Sequence, residues 1–247
     1  MRDLEHEFAV AAAEEGNVYL PNFTPAGKVD ALLIAMEPSM SWAPTPAEAH
    51  RRIAAGLRNF MWSAEAMIVH WAAKRFLCSS GETYHITDIS KGAMLTATAN
   101  ADRSARYARW APLLKEEIEL VAKPDAQVIA LGATVGGFLK RSGLVRDFRR
   151  IIHYSPLAGA ARNAAVLGRE VDFGAFSLSM DELIDVATEV MRENAVPDPM
   201  QVTTINLLRE YKLTPSLKKL AFVYSTAFES WQRAHRQRDA VADANPR

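Results

Sequence analysis

The sequence predicts an α/β protein with three layers, in which a central four-stranded parallel sheet lies between helices, followed by a C-terminal helical extension. Short, nearly continuous apolar segments alternate along the chain with longer helical patterns, as strands buried on both faces alternate with crossover helices. Hydrophobic residues make up 49% of the 247 residues, which is enough to bury a large core. This alternation favours parallel strands joined by helices on both faces.

Four strands are predicted from apolar runs and the turn residues around them. The first, residues 29–35 (VDALLIA), follows a Pro/Gly turn, and the second is residues 84–89 (YHITDI). The third spans 124–131, and Gly132 is predicted to turn the chain from this strand into a helix. The fourth is the short segment 149–153 (RRIIH). Each strand leads into a loop or helix start, where α/β proteins keep their binding sites.

The helical patterns fill the intervals between these strands. Thr45 and Pro46 have the chemistry of an N-cap and a first helical residue, and they open one long helix predicted over 47–77. A second helix is predicted over 103–121, and another, over 156–168, after the fourth strand. We expect these helices to cover the two faces of the sheet.

The chain changes character after the last predicted strand and its helix. We divide it into an α/β domain, residues 1–175, and a helical extension, residues 176–247, that packs on the core. Residues 180–194 are amphipathic, the prolines in 196–199 break the pattern, and further helices follow. The last residues, 242–247, are expected to fray.

Composition limits the classes of function. Lysine plus arginine and aspartate plus glutamate both number 29, so the net charge is zero; this excludes a strongly basic nucleic-acid coat protein but allows a DNA enzyme with clustered basic residues. The single cysteine, Cys78, excludes a disulfide framework and a cysteine-ligated cluster. The acidic, amphipathic N-terminus lacks a signal-peptide pattern, and no apolar run is long enough to span a bilayer. We expect a cytoplasmic monomer that does not bind a membrane.

Polar residues with chemical potential follow three of the predicted strands. Glu37 follows the first strand, Asp88 lies at the end of the second, and His153 ends the fourth. Each has an ordinary structural explanation: a helix cap, a turn aspartate or a buried structural histidine. Because the carboxyl ends of parallel strands meet at one edge, the three together indicate a functional site.

Four segments at these strand ends carry motif-like sequences. They are AMEPS (35–39), ITDISK (86–91), PDAQVIALGAT (124–134) and HYSPLAG (153–159). In this order they resemble motifs of the uracil-DNA glycosylase superfamily: Gly-x-x-Pro-Gly or Gly-Gln-Asp-Pro-Tyr, Ile-Thr-Asn-Val-x-Lys, Pro-x-Val-Ile-x-Leu-Gly-Ala-Thr and His-Pro-Ser-Pro-Leu-Ser. The resemblance covers roughly residues 19–173 and leaves out the C-terminal helices.

The resemblance implies a role for each motif residue. His153 would stabilise the negative charge that leaves with the base, and Glu37, in place of the family's Asp or Asn, would activate water and support the sugar cation. Ser155 and Pro156 would contact the DNA backbone. A base inside a duplex cannot reach such a pocket, so base flipping is implied. The branch with an iron–sulfur cluster needs four cysteines and is excluded, and we expect no cofactor and no metal.

Base recognition is assigned to Asp88, Phe60, Ser39 and Met36. Where the family has Asn, an ionised Asp88 can only accept hydrogen bonds and would favour the amine of cytosine. A protonated Asp88 could bond cytosine, or could imitate Asn and bind uracil. Ser39 replaces the Tyr that closes the pocket beside C5, which leaves room for a substituent. Phe60 could stack on the base, with ordinary core packing as the alternative.

Basic residues near these motifs could follow the DNA backbone. Lys91, Arg149 and Arg150 are assigned to phosphate contacts. Further candidates, with solvated faces as the alternative, are Arg103, Arg106, Arg109, Lys140, Arg141 and Arg146.

These assignments give a leading hypothesis and two alternatives. The leading one is a monofunctional DNA glycosylase that acts on single- or double-stranded DNA and removes a C5-modified cytosine, hydroxymethylated or glucosylated, as in some phage genomes. An enzyme that removed plain cytosine would damage its host, so the leading hypothesis implies phage defence. The alternatives are a uracil-DNA glycosylase in base-excision repair and a non-catalytic binder of damaged DNA.

Overall fold

The computed structural model describes residues 1–243, apart from the side chains of residues 96, 97 and 238–243. The strands are β1 (Val18–Tyr19), β2 (Val29–Ala35), β3 (Tyr84–Asp88), β4 (Gly92–Ala93), β5 (Ala122–Leu131) and β6 (Arg149–Ile151). The helices are α1 (Arg2–Glu14), α2 (Pro46–Ala54), α3 (Ala64–Ala72), α4 (Thr96–Ala99), α5 (Arg103–Val121), α6 (Ala133–Ser142), α7 (Gly159–Val166), α8 (Glu170–Ala175), α9 (Met180–Glu193), α10 (Asp198–Glu210) and α11 (Pro215–Asp243). A π-helical turn covers Ala73–Leu77, and a 3₁₀ turn covers Pro156–Ala158. Within residues 1–243, no helix is both long enough and apolar enough to cross a membrane.

The predicted α/β fold with a four-stranded parallel sheet is confirmed. The strand order is β3-β2-β5-β6, and every neighbouring pair is parallel. Alternate residues of β2 serve the two faces: Leu33 packs in the cluster that contains α3, α9 and α11, whereas Leu32 and Ile34 pack with α5 and α6. A small antiparallel ribbon of β1 and β4 was not predicted, because strands of two residues leave no periodic signal.

The C-terminal helices belong to the same core as the sheet. Leu183 and Val186 of α9 and Leu220 and Phe228 of α11 share one buried cluster with Leu33 of β2. The predicted extension therefore packs on the α/β core and supplies a large part of the layer on that face. Of the segment expected to fray, residues 244–247 lie outside the described residues.

The single long helix predicted over 47–77 is wrong. The segment forms two helices, α2 and α3, which are separated by a loop over residues 55–63. Gly56 has φ +107° and lies against Pro197, whose Cδ would be 2.6 Å from an added Cβ, so this backbone favours glycine. Ser63 then begins α3, because its side chain accepts a hydrogen bond from the Ala66 N–H.

The four parallel strands end at nearly the same level. Ala35 of β2 lies opposite Asp88 of β3, and Leu131 of β5 lies opposite Ile151 of β6. We call this end of the sheet the carboxyl edge. It brings together the loops that follow all four strands, as α/β folds do at their binding crevices.

Candidate active site at the carboxyl edge of the sheet

Glu37, Asp88 and His153 all lie at the carboxyl edge, as the sequence predicted. Glu37 is two residues beyond β2, Asp88 is the last residue of β3, and His153 is two residues beyond β6. The charge of Glu37 contributes to the raised pKa of Asp88. Arg103, which pairs with Glu37, contributes to the lowered pKa of His153. The three side chains therefore share one electrostatic environment.

The carboxylate of Glu37 is held by α5 on both of its oxygens. Its Oε1 accepts a hydrogen bond from Arg103 at 2.5 Å, and its Oε2 accepts one from the Tyr107 hydroxyl. Arg106 Nη2 lies 3.6 Å from Oε2. Burial and the charge of Glu37 raise the pKa of Tyr107, so the phenol remains a donor. Glu37 is thus a buried carboxylate of fixed orientation with its charge balanced by two guanidinium groups.

The arginines of α5 are therefore placed differently from a row of phosphate contacts. Arg103 and Arg106 face Glu37, and Arg109 pairs with Glu15 of the segment after α1 at 2.8 Å. Arg106 also donates to the main-chain oxygen of Ala99 at 2.7 Å and is buried. The contacts of Arg103 and Arg106 tie α5 to the loop after β2, whereas that of Arg109 ties it to the end of α1.

Asp88 is a buried carboxyl group with one oxygen unpaired. The residue is 1% exposed, and its Oδ2 accepts a hydrogen bond from Asn59. Its Oδ1 is buried and has no hydrogen-bond partner among the described residues. Burial, with smaller contributions from Glu37 and Glu117, raises the pKa of Asp88 to about 8 against the opposing effect of Lys91 and Asn59. Asp88 is therefore mainly neutral at pH 7.

A buried chain of hydrogen bonds runs from Asp88 into the core. Asn59 donates to Asn22 at 3.0 Å, Asn22 donates to the Thr87 hydroxyl at 2.9 Å, and Thr87 donates to Glu117 at 2.8 Å. Sequence reasoning missed Asn59, because the predicted long helix placed it mid-helix. The available signal was the chemistry of Asn, which competes with helical hydrogen bonds, close to a glycine.

The predicted phosphate contact of Lys91 is wrong. Lys91 is 1% exposed, and its Nζ donates to Glu117 Oε2 at 2.6 Å and to the main-chain oxygen of Asp88 at 2.5 Å. Burial alone would raise the pKa of Glu117, but the charge of Lys91 and the hydrogen bond from His85 lower it to about 2. Lys91 therefore cannot reach a phosphate, because its ammonium group is committed to a buried ion pair.

His153 is a neutral imidazole with a defined tautomer. Burial, together with the charges of Arg162 and Arg103, lowers the pKa of His153 to about 4. Its Nδ1 lies 3.0 Å from the main-chain N–H of Ser155 and accepts a hydrogen bond from it. Because Nδ1 accepts, the proton of the neutral ring is on Nε2, and that atom is a hydrogen-bond donor.

Arg162 of α7 holds the loop that carries His153. Its guanidinium donates to the main-chain oxygens of Tyr154 and Ser155, the latter at 2.8 Å, and to the Ser216 hydroxyl at 2.8 Å. Arg162 is 1% exposed, and burial lowers its pKa from the usual value, although the group remains charged. Sequence reasoning missed this residue, because only the folded loop brings the main-chain oxygens of Tyr154 and Ser155 to the guanidinium of Arg162.

Gly132, between β5 and α6, lies against His153. Its φ is +106°, and an added Cβ would lie 3.1 Å from the Cβ of His153. Its N–H donates to the main-chain oxygen of Ile151 at 2.8 Å. The residue forms the turn from β5 into α6, as predicted. Glycine is therefore needed both for the backbone conformation and for the close approach.

We expect Gly132→Ala to lower the free energy of unfolding by about 1–3 kcal/mol, because the backbone is strained for alanine and His153 must shift. Urea unfolding at pH 7 measures this loss. Gly174→Ala is the matched control, because Gly174 lies in α8 with nothing within 4 Å of an added Cβ. Equal stability of the two variants would contradict the assigned role of Gly132.

Phe60 and Tyr154 form an aromatic contact at the carboxyl edge. Phe60 has φ 62° and is 4% exposed, and its ring centroid lies 5.8 Å from that of Tyr154. Tyr154 also stacks on His153, with centroids 4.6 Å apart. Phe60 lines a cavity of about 390 Å³ together with residues of α3, β3 and α9. The stacking of a base on Phe60 stays a prediction.

Ser39 and Met36 lie in the loop after β2. The Ser39 hydroxyl accepts a hydrogen bond from the Ser41 N–H at 3.1 Å, and its main chain forms a bridge with Met94. Met36 is half-buried and packs against the apolar cluster of α5 and α6. The loop is thus fixed in place, and contact of either side chain with a base stays a prediction.

The residues expected to follow the DNA backbone are only partly brought together. Pro156 is exposed and follows the loop of His153, next to half-buried Ser155. Arg150 is exposed, whereas the guanidinium of Arg149 lies 5.2 Å from the ring of Trp231 of α11. Sequence reasoning missed Leu157, which follows Pro156 and is 85% exposed.

Comparison with protein-family models, with curated proteins and with solved structures gives no match to this chain.

No group of three or more histidine, cysteine, aspartate or glutamate residues is arranged to hold a metal ion within the described part of the chain. The carboxyl edge provides an oriented carboxylate, a neutral carboxyl group and a neutral imidazole donor. Such a set can support positive charge on one side of a breaking bond and negative charge on the other.

Proposed function

We propose that this protein is a DNA glycosylase that flips a nucleotide and hydrolyses its N-glycosidic bond, leaving an abasic site. The proposal rests on one observation: β2, β3 and β6 end at nearly the same level of the sheet. Glu37, Asp88 and His153 therefore lie at one edge. The resemblance of the four strand-end motifs to the uracil-DNA glycosylase superfamily supports the same function. The reaction forms a cationic sugar and an anionic base, so it needs an anion near the sugar and donors near the base.

Each polar group has a role in this reaction. The carboxylate of Glu37, held by Arg103 and Tyr107, orients the attacking water and supports the sugar cation. The Nε2–H of His153 donates to O2 of the leaving base and carries no competing charge, because the ring is neutral. No step requires a cofactor.

Residues near His153 that are exposed or half-buried can contact the DNA. Ser155, Pro156 and Arg150 can contact the backbone of the flipped nucleotide. Leu157, which is 85% exposed on the turn that Pro156 begins, can enter the stack in place of the extruded base.

Substrate entry requires a local movement. Asp88 is 1% exposed, so a base can reach it only after the side chains above it move. Tyr154 contacts both His153 and Phe60 and stands where the family motif has proline. Displacement of this ring by the flipped base would complete the site only when a fitting base is present.

The base we favour is a C5-modified cytosine, hydroxymethylated or glucosylated, which makes the protein an enzyme of phage defence. A neutral Asp88 can donate to N3 of cytosine and accept from its amine. Ser39, in place of a tyrosine, leaves space beside C5. A requirement for a C5 substituent would protect the unmodified cytosines of the host.

Two other functions each have an observation in their favour. A neutral Asp88 also has the donor and acceptor of an asparagine, so a uracil-DNA glycosylase of base-excision repair is the second candidate. The two arginines that balance Glu37 would suit a binder of damaged DNA without turnover, since the carboxylate is already paired.

Base release from oligonucleotides tests all three candidates. Labelled strands with cytosine, 5-hydroxymethylcytosine, its glucosylated form or uracil are incubated with the protein, single- and double-stranded, and abasic sites are cleaved with alkali. We expect breaks at modified cytosine and none at cytosine. Breaks at uracil alone would favour repair. Binding without any break would favour the non-catalytic binder, and neither binding nor breaks would contradict the proposal.

A further inference from the structure

Asn59 fixes the direction of the hydrogen bonds around Asp88. Its Oδ1 accepts from the main-chain N–H of Phe60 at 3.0 Å, and this N–H can only donate. The amide of Asn59 therefore has one orientation, with Nδ2 directed at Asn22 Oδ1, 3.0 Å away, and at Asp88 Oδ2. Both N–H groups of Asn59 are used, and both are donors.

The far end of the same chain has the same fixed direction. The Lys91 ammonium can only donate, and it bonds Glu117, which accepts from Thr87 as well. Thr87 in turn accepts from Asn22. No member can be reversed without setting two donors or two acceptors against each other. This chain of hydrogen bonds thus places a donor at Asp88 Oδ2 and none at Oδ1.

We propose that Asn59 is a positioning residue that keeps the proton of neutral Asp88 on Oδ1, so that the substrate base meets a hydrogen-bond donor at that atom. A proton on Oδ2 would point at the N–H of Asn59. Oδ1 is buried and has no hydrogen-bond partner among the described residues, which leaves its proton for a ligand. The identity of that ligand as a nucleobase rests on the proposed function.

The other groups that act on Asp88 are compatible with a neutral acid. Lys91 approaches from the loop after β3 but bonds the main-chain oxygen of Asp88 and Glu117. Glu37 and Glu117 are anionic and oppose ionisation of Asp88. Tyr154 lies near enough for the charge of an ionised Asp88 to raise its pKa.

The proposal gives opposite expectations for two conservative substitutions. In Asp88→Asn, the side-chain oxygen would accept from Asn59, and the amide nitrogen would replace Oδ1 as a permanent donor. In Asn59→Asp, the new carboxylate would accept a hydrogen bond from Asp88. The proton of Asp88 would therefore move from Oδ1 to Oδ2, because two adjacent acids share one proton. Oδ1 would then become an acceptor. The site would favour a base that presents a donor at this point, whereas the wild type favours one that presents an acceptor.

Base release from single-stranded oligonucleotides containing uracil or 5-hydroxymethylcytosine, followed from about pH 6 to about pH 10, tests this assignment. We expect the wild-type rate to fall as Asp88 ionises near pH 8. Asp88→Asn should keep the wild-type base preference within about threefold and lose this alkaline fall, whereas Asn59→Asp should shift the ratio of the two rates by about tenfold or more. Asn206→Asp, on the exposed face of α10, is the matched control and should behave as wild type.

A change of base preference in Asp88→Asn, or an unchanged rate ratio in Asn59→Asp, would overturn the assignment. A second readout does not depend on catalysis: the carboxyl ¹³C resonance of Asp88, identified by its absence in Asp88→Asn, is titrated in the free protein. Its midpoint should rise in Asn59→Ala, because the hydrogen bond from Asn59 lowers the pKa of Asp88. If no oligonucleotide is cleaved by the wild type, the proposed function fails while this titration still decides the role of Asn59; an unchanged midpoint overturns it.

Discussion

Glu37→Gln is expected to lower the rate of base release by about 10²–10⁴-fold. The variant keeps the shape of the side chain but removes the negative charge that supports the sugar cation and orients water. It also leaves Arg103 and Arg106 without their carboxylate, so positive charge remains where the sugar becomes cationic. DNA affinity should stay the same or rise, because removal of the carboxylate charge leaves the site with an unbalanced positive charge that attracts phosphate. Single-turnover rates and fluorescence anisotropy with the same oligonucleotide measure the two quantities.

The matched control for this variant is Glu189→Gln. Glu189 lies in α9 and also pairs with two cations, Lys74 at 3.3 Å and Arg75 at 3.4 Å, and it forms no ion pair with the arginines that hold Glu37. Its substitution should leave the rate within about twofold of wild type, because these ion pairs lie on α9 and the turn after α3 and not among the groups assigned to the reaction. A Glu37→Gln rate within tenfold of wild type, with native circular dichroism, would show that Glu37 does not carry the reaction.

The strands of the sheet were predictable because burial on both faces leaves a direct signal. Residues 29–35 are almost wholly apolar, and they form β2 in the middle of the sheet. The break between α2 and α3 was not predictable by the same means, because the sequences on both sides favour helix. Within the break, Gly56 has φ +107° and lies close to Pro197, which is far along the chain, so this packing is visible only in the fold.

The residues of the site also differ in how far the sequence could identify them. Glu37, Asp88 and His153 could be found from the sequence, because the ends of parallel strands meet at one edge. The hydrogen-bond chain behind Asp88 could not be found, since its members Asn59, Asn22 and Glu117 come from three separate parts of the sequence.

Lys91 was misassigned for a related reason. A lysine after a strand end has the same sequence signal whether it faces phosphate or a carboxylate. Only the packing of α5 against β3, which brings Glu117 to 2.6 Å from its Nζ, distinguishes the two.

The buried pair of Lys91 and Glu117 leads to the largest stability effect that we expect. Lys91→Met should lower the free energy of unfolding by about 3–5 kcal/mol at pH 7, because it leaves the Glu117 charge buried without a cation. Urea unfolding measures the loss. Lys115→Met is the control, since Lys115 pairs with Glu119 at 3.8 Å on the surface and both side chains are more than 60% exposed; its cost should stay below about 1 kcal/mol.

The pH dependence of this loss identifies its cause. In the wild type, the pKa of Glu117 is lowered to about 2, so its contribution to stability is present at neutral pH and is lost as the pH falls below the ordinary range towards 2. In Lys91→Met, burial is no longer opposed by the ammonium charge, so Glu117 should become neutral already at moderately acidic pH. The difference in stability between wild type and variant should therefore shrink between about pH 7 and about pH 4. A difference that stays constant over this range would instead assign the loss to the contact of Lys91 with the ring of Phe8, 4.9 Å away.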